Sequence, residues 1–307
     1  MDLVVSPEVR RAQKEQRAVV ALETTVITHG LPWPHNVDTA LAMEQAIRDA
    51  GACPATLGIV NGRVTVGLSA NQIHEFGRAE TASIAKCSRR DLPSIVAAKR
   101  HGSLTVAGTI VVADAANIRI FVTGGIGGVH RGHPEDVSAD LYELGRTPVA
   151  GVCAGAKSIL DLPLTLEVLE SQGVPVIGLG TRNLPAFFSA DSGLRLAHSV
   201  ESCDEAADLL RAWRDLETGN GLLIAVPVPA DSAMDSAEAE AAIAQAVRDA
   251  DSAGVSGSRV TPYILSRLVE LTHGRSLIAN KALLLNNARI AAKVAVGAGL
   301  GLADRVL

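Results

Sequence analysis

Short, uniformly apolar runs alternate with helix-patterned stretches along almost all of this 307-residue chain, and that alternation restricts its fold more than any other feature. VVAL (19–22), NIRIFVT (117–123), PVAGVC (148–153), VPVIGL (174–179) and GLLIAVPV (221–228) read as strands, most of them covered on both faces. Between and after them, helical spacing marks Asn36–Ala50, stopped by Gly51, then 165–173, 236–251 and 279–295. ATLGIV (55–60), the dipeptide Asn61-Gly62 and RVTVGL (63–68) predict a β-hairpin, because Asn-Gly favours the tight turn with positive φ. No Ser, Pro or charge-rich linker interrupts the series. Residues 1–307 therefore read as a single α/β domain, three layers α/β/α around a mixed, largely parallel sheet, with the polar residues 1–16 as a helical N-terminal extension.

Composition narrows the function classes. Aromatic residues are only 3% of the chain against 28 glycines, so packing rests on Ala, Val, Leu and Ile at close backbone distances, as in layered α/β enzymes. A net charge of −5 without a basic block excludes the footprint of a nucleic-acid polymer binder. Cys53, Cys87, Cys153 and Cys203 are isolated and suggest no disulfide framework. The first 20 residues lack an apolar signal core, and no run approaches the roughly 18 apolar residues of a membrane span, so the expectation is a cytoplasmic protein with no membrane partner.

Several residues carry candidate chemistry. Lys157 follows PVAGVC among small and apolar neighbours, where partial desolvation favours the neutral, nucleophilic amine that forms a Schiff base with an aldehyde. A lysine at a helix start with its head in solvent fits the same letters. Glu23 stands at the end of VVAL, where sheet enzymes place reactive groups, and suits a proton donor; a capping carboxylate is the plainer alternative. Asp136 and Asp140, four apart, share one face if DVSAD is helical, and two anions there invite a hard cation such as Mg²⁺ or Mn²⁺. Helix capping by Asp136 competes with that reading.

TGGIGGVHRG offers backbone N–H groups with His130 and Arg131 as a phosphate cradle, or simply a tight turn. The run Lys86-Cys87-Ser88-Arg89-Arg90-Asp91 adds a second possible phosphate contact. His29 and His35 flank LPWP in a loop expected to lie over a pocket. Asn280 and Asn287, seven apart on an otherwise apolar helix, need a polar partner, either substrate or loop backbone.

Taken together, ALETTVITHGLPWPHN, PATLGIVNGRVTVGL, KCSRRDLP, VTGGIGGVHRG, DVSADLYEL, VCAGAKSILDLPLTLEVLESQGVPVIGLGTRNLPAFFS and VTPYILSRLVELTHGRSLIANKALLLNNA resemble the pseudouridine-5′-phosphate glycosidase (pseudouridylate synthase) family, related to indigoidine synthase A-like proteins. The resemblance spans about residues 18 to 298. It implies reversible cleavage of the C–C glycosidic bond of pseudouridine 5′-phosphate to uracil and ribose 5-phosphate. It also implies one divalent cation, Mn²⁺ or Mg²⁺, per subunit and a homotrimer. By matching positions, Glu23 is the proton donor, Lys157 the nucleophile holding the opened ribose as an imine, and Asp136 the metal ligand. Lys86, Val106, Ser138, Ala139 and Asp140 contact substrate, with His130 and Asn287 as further substrate contacts. An indigoidine-pathway-like enzyme acting on another phosphorylated C-glycoside and a non-catalytic sugar-phosphate binder are the alternatives. Departures from the family pattern are Val226, where an Asn-Pro segment is expected, Ser258, where a Gly-Lys pair is usual, and a shortened RGHPE approach that bears on His133.

Overall fold

The computed structural model describes residues 1–80, 83–255 and 260–301. The chain opens with β1 (Leu3–Val5) and α1 (Pro7–Lys14), then β2 (Val19–Leu22), α2 (His35–Asp49), β3 (Cys53–Val60), β4 (Arg63–Val66), α3 (Ala70–Arg78), β5 (Ala85–Cys87) and α4 (Leu92–Ala97). The middle runs β6 (Gly102–Leu104), α5 (Val106–Ala115), β7 (Ile120–Val122), β8 (Val129–His130), β9 (His133–Val137), α6 (Ala139–Leu144), β10 (Ala150–Cys153), β11 (Leu160–Asp161) and α7 (Leu162–Ser171). It closes with β12 (Val176–Leu179), β13 (His198–Val200), α8 (Cys203–Leu216), β14 (Leu222–Ala225), α9 (Ser236–Ser252), α10 (Val260–Leu271) and α11 (Arg275–Gly297).

Eleven strands form one sheet in the order β1-β4-β3-β2-β7-β10-β14-β12-β13, with β5 and β6 branching from β3. From β3 through β2 to β13 every neighbour is parallel; the β3–β4 and β3–β6 pairs are antiparallel. β2, β10 and β14 are buried along their whole length, as apolar runs covered on both faces require. α11 packs across β2, β7 and β10 with α2 and α8 beside it, while α5, α6 and α7 build the other layer. The mixed, mostly parallel α/β architecture is thus the one the alternation predicts. Among the described residues no helix is long and apolar enough to cross a membrane.

The predicted hairpin is present: β3 and β4 pair through a turn with Asn61 at φ 50° and Gly62 at φ 75°. A Cβ at Gly62 would meet the Val96 carbonyl at 2.7 Å, so the site requires glycine twice over, for conformation and for space. One expectation needs correction. Residues 1–16 are not only helical, because the β-prone Leu3–Val5 extends the sheet edge in parallel with β4. Beyond the glycine cluster the chain does not enter a helix at once. His133–Val137 forms β9, paired with β8 in a three-stranded antiparallel sheet with β11, and α6 begins only after the Ser138 N-cap.

Candidate active site

β2 and β6 share one side of β3, and the junction between them creates the site. β2 pairs with β3 as far as Leu22↔Thr56, and β6 takes over at Gly58↔Ser103. Thr24 locks the seam: its hydroxyl donates to the Leu57 carbonyl at 2.8 Å and accepts the Leu104 N–H at 2.7 Å. Glu23, one residue beyond β2, is thereby held at a fixed position where neighbouring strands end. The chain then makes a π-helical turn over Val26–Gly30, a local widening often found at functional sites.

The Glu23 carboxylate is only 6% exposed. Thr25 and Thr123 donate hydroxyl hydrogen bonds to its two oxygens. Burial raises its pKa above the usual carboxylate value, and the nearby Lys157 charge and the two hydroxyls oppose that rise. Lys157 lies in the connection between β10 and β11, a turn rather than a helix, and is half-buried. Its backbone is pinned, with its N–H on the Ile126 carbonyl at 3.1 Å and its carbonyl accepting the Leu160 N–H at 3.0 Å. Lys86, on β5, completes the group; burial and the Lys157 charge lower its pKa, while Asp140 and Glu23 pull it back up. His29 on the π turn is kept neutral, at about 4, by burial and by Lys86.

Glu23, Thr25, His29, Lys86 and Lys157 line a single cleft of about 650 Å³, together with Val106, His130, Asp136, Ser138, Ala139 and Asp140. Val106 and Ala139 cannot offer polar side chains, so their value to a ligand is the main chain at a helix start. In α5, Ala107 N–H goes to Asp140 and Gly108 N–H to the Thr105 hydroxyl, which leaves the Val106 N–H for a ligand. Asp140 is a brace: its two oxygens accept N–H bonds from Ala107 and Gly127, each at 2.8 Å.

Four expectations about this region change. Asp136 and Asp140 do not share a helical face, because Asp136 lies in β9 and Asp140 in the first turn of α6. The glycine cluster is only partly open as a phosphate cradle: Gly127 and Gly128 line the cleft, but Ile126 N–H and Gly127 N–H are taken by Gly155 and Asp140. Its glycines permit close packing: a Cβ at Gly127 would lie 2.2 Å from Ser138 Oγ, and one at Gly128 2.4 Å from Thr165 Oγ1. Arg131 is spent on the Leu160 and Ser158 carbonyls and on Glu240. Asn287 does not reach the cleft; it is fully buried and donates to the Thr123 carbonyl at 2.9 Å, steadying a residue that touches Glu23.

Asn280 instead borders a small apolar side chamber with Glu23, Lys157, Phe187 and Leu284. Val226 is buried, bonded to the Cys153 carbonyl, and lies away from the cleft lining. Ser258 lies outside the described residues. Sequence reasoning missed Thr25 and Thr123, although Thr123 directly follows β7, the position that singled out Glu23 after β2, and Thr25 lies two residues past Glu23.

Asp136 suits a hard cation. Its side chain is 65% exposed, with His130 Nε2 at 4.0 Å. Among the described residues no cluster of three His, Cys, Asp or Glu side chains could hold a metal. One accessible carboxylate matches Mg²⁺ or Mn²⁺ retaining most of its water, and does not match a four-ligand zinc site.

A buried strut joins two walls of the cleft. Glu143 of α6 accepts two bonds from Arg89, at 2.7 and 2.5 Å, and further bonds from Arg146 and Thr147. Burial pushes its pKa up, but these partners outweigh burial and hold it at about 2, well below the usual carboxylate range. A depressed carboxylate stabilises the fold above its unfolded pKa and loses that contribution as pH falls through the folded value. Urea unfolding should therefore show about 3 kcal/mol of stability lost between pH 4.5 and 2, with a markedly smaller decline in Glu143→Gln. An unchanged pH profile in the variant would refute the strut.

Comparison with known proteins adds four findings. Residues 8–297 match the model of the family described as "Indigoidine synthase A like protein". The chain is 51% identical over 296 residues to a pseudouridine-5′-phosphate glycosidase of Herpetosiphon aurantiacus, covering 96% of this chain and 97% of the relative. Among solved structures it resembles the prealnumycin C-glycosynthase AlnA in complex with ribulose 5-phosphate, with a TM-score of 0.88, 38% identity and 97% of each chain covered. It also resembles an indigoidine synthase A-like protein from Thermotoga maritima, with a TM-score of 0.86, 33% identity and 96% and 95% covered.

Proposed function

The chain belongs to the indigoidine synthase A-like family, and we propose that it is an enzyme that reversibly cleaves pseudouridine 5′-phosphate to uracil and ribose 5-phosphate. The observation that carries this reading is the placement of Glu23 and Lys157, charge-coupled, in one cleft large enough for a nucleotide. Whole-length identity of about half to a glycosidase with that substrate in its name supports it.

A carbon leaving group cannot depart as an oxyanion does, so the electrons need another path. In the proposed course, loss of the uracil N1 proton drives the C1′–O4′ electron pair onto O4′, which takes up a proton, and a C1′=C5 double bond forms. Lys157 Nζ adds to C1′ and N1 regains its proton. Glu23 then delivers a proton to C5. The nitrogen lone pair forms the imine at C1′ while the C1′–C5 pair returns to the pyrimidine as uracil leaves. Water hydrolyses the imine, releasing ribose 5-phosphate and restoring Lys157.

Lys86, the Val106 N–H and the Ser138–Asp140 turn supply the anion-binding side, where a desolvated cation and unpaired helix N–H groups suit a phosphorylated ligand. Asp136, with His130 beside it, is the group that would hold Mn²⁺ or Mg²⁺, and the bound cation would offset the substrate's negative charge. Chelation should then suppress activity, and Asp136→Ala should raise the Mn²⁺ concentration for half-activation about tenfold or more. Equal metal dependence in the variant and the parent would place the cation elsewhere. A homotrimer belongs to the same reading and is checked by sedimentation equilibrium.

Incubation with pseudouridine 5′-phosphate and Mn²⁺ tests the reaction: uracil release supports it, and none under varied metals rejects it. The likeness to a C-glycosynthase favours a second reading, action on another phosphorylated C-glycoside. Competition between such a compound and pseudouridine 5′-phosphate separates the two.

A further inference from the structure

We propose that Arg90 is the rim cation that closes on the phosphate of the bound substrate. This rests on the reading of the ligand as a sugar phosphate. Three cations come from one short segment, and the structure gives each a different fate. Lys86 lines the interior of the cleft, and Arg89 is held by both oxygens of Glu143. Arg90 lines the same cleft with its side chain 89% exposed, and its nearest carboxylate, Asp91, stands at 3.6 Å.

The backbone beneath Arg90 is fixed, while its side chain is held only by a solvent-exposed ion pair with Asp91 Oδ1, which a phosphate can displace or share. Ser88 N–H donates to Asp91 Oδ2 at 2.9 Å, Asp91 N–H to the Ser88 carbonyl at 3.0 Å, and Ser94 Oγ to the Asp91 carbonyl at 2.9 Å. Asp91 thus holds the turn through Oδ2, while its Oδ1 faces Arg90. The segment also sits beside the start of α5: Cys87 pairs with Leu104, and Thr105 N–H donates to the Cys87 carbonyl at 3.0 Å. Arg90 and the Val106 N–H therefore leave adjacent strands and face one space.

A phosphate dianion there meets the Lys86 ammonium and the Val106 N–H from within, and only a rim residue can cover its outer oxygens. A guanidinium fork suits that position because it binds two oxygens at once. Among the described residues, Arg131 is held by Glu240 and two carbonyls, His130 flanks Asp136, and His29 is kept neutral by burial.

Calorimetric titration with ribose 5-phosphate, and with ribose as the phosphate-free control, decides the matter on the parent, Arg90→Ala and Arg90→Lys proteins. Arg90→Ala should weaken ribose 5-phosphate binding about tenfold or more, Arg90→Lys less, and ribose binding should change less than about twofold in either. With pseudouridine 5′-phosphate the loss should fall on KM rather than kcat. Unchanged ribose 5-phosphate affinity in Arg90→Ala, or an equal loss for ribose, would overturn the proposal. Failure of the parent to release uracil would reject the cleavage reaction alone, since the ribose 5-phosphate comparison tests Arg90 without turnover.

Discussion

Lys157→Ala should release uracil about 10⁴-fold more slowly than the parent, or not at all, while keeping the parent's thermal midpoint and circular dichroism. The large kinetic effect follows from the proposed course, in which the Lys157 nitrogen lone pair forms the imine at C1′ as the C1′–C5 pair returns to the pyrimidine. Retention of the fold follows from the local structure. The Lys157 backbone makes the turn's hydrogen bonds to Ile126 and Leu160, and an alanine keeps both. The side chain is only half-buried, and its removal leaves no sealed cavity. A variant that kept the parent's rate would dispose of the covalent route.

Glu23→Gln should lower kcat by about 10²- to 10⁴-fold, the usual range for a lost general acid. It should also remove a limb of the pH profile. Burial holds the proton on Glu23 above the ordinary carboxylate range, so the acid form persists as pH rises and disappears once pH passes the raised value. In the parent, kcat falls on that side; in the glutamine variant, residual activity lacks this fall. The two predictions are coupled, because the Lys157 charge works against the effect of burial on Glu23. Within Lys157→Ala, titration of Glu23 followed by NMR should move to still higher pH. A Glu23 that titrated as an exposed carboxylate in both proteins would contradict the arrangement.

Much of this molecule could be read from its letters, and the reasons are physical. VVAL and GLLIAVPV are short and apolar because they lie in the middle of a sheet covered by helices, and Asn61-Gly62 announces its hairpin because few other pairs adopt two positive φ angles. Glu23 stood out as a charge that follows such a strand. The Asp136–Asp140 spacing misled because helical periodicity is only one way to arrange four residues, and Ser138 caps a helix that starts after Asp136. The glycines of GGIGG signal backbone proximity without saying to what. Here the side-chain neighbours include Ser138, Thr165 and Phe187. Asn287 was rightly given a polar partner, but whether that was substrate or backbone depended on contacts 164 residues away in sequence. The separate fates of Lys86, Arg89 and Arg90 likewise depend on Glu143, which local sequence cannot bring to them.

The central claim is that Lys157 becomes covalently attached to the ribose carbon. The direct measurement is borohydride reduction of the protein during incubation with pseudouridine 5′-phosphate or ribose 5-phosphate, followed by peptide mass mapping. The predicted result is a reduced ribose 5-phosphate adduct on the peptide carrying Lys157, absent from Lys157→Ala. An adduct on Lys86 instead, or none while uracil is being released, would contradict the account.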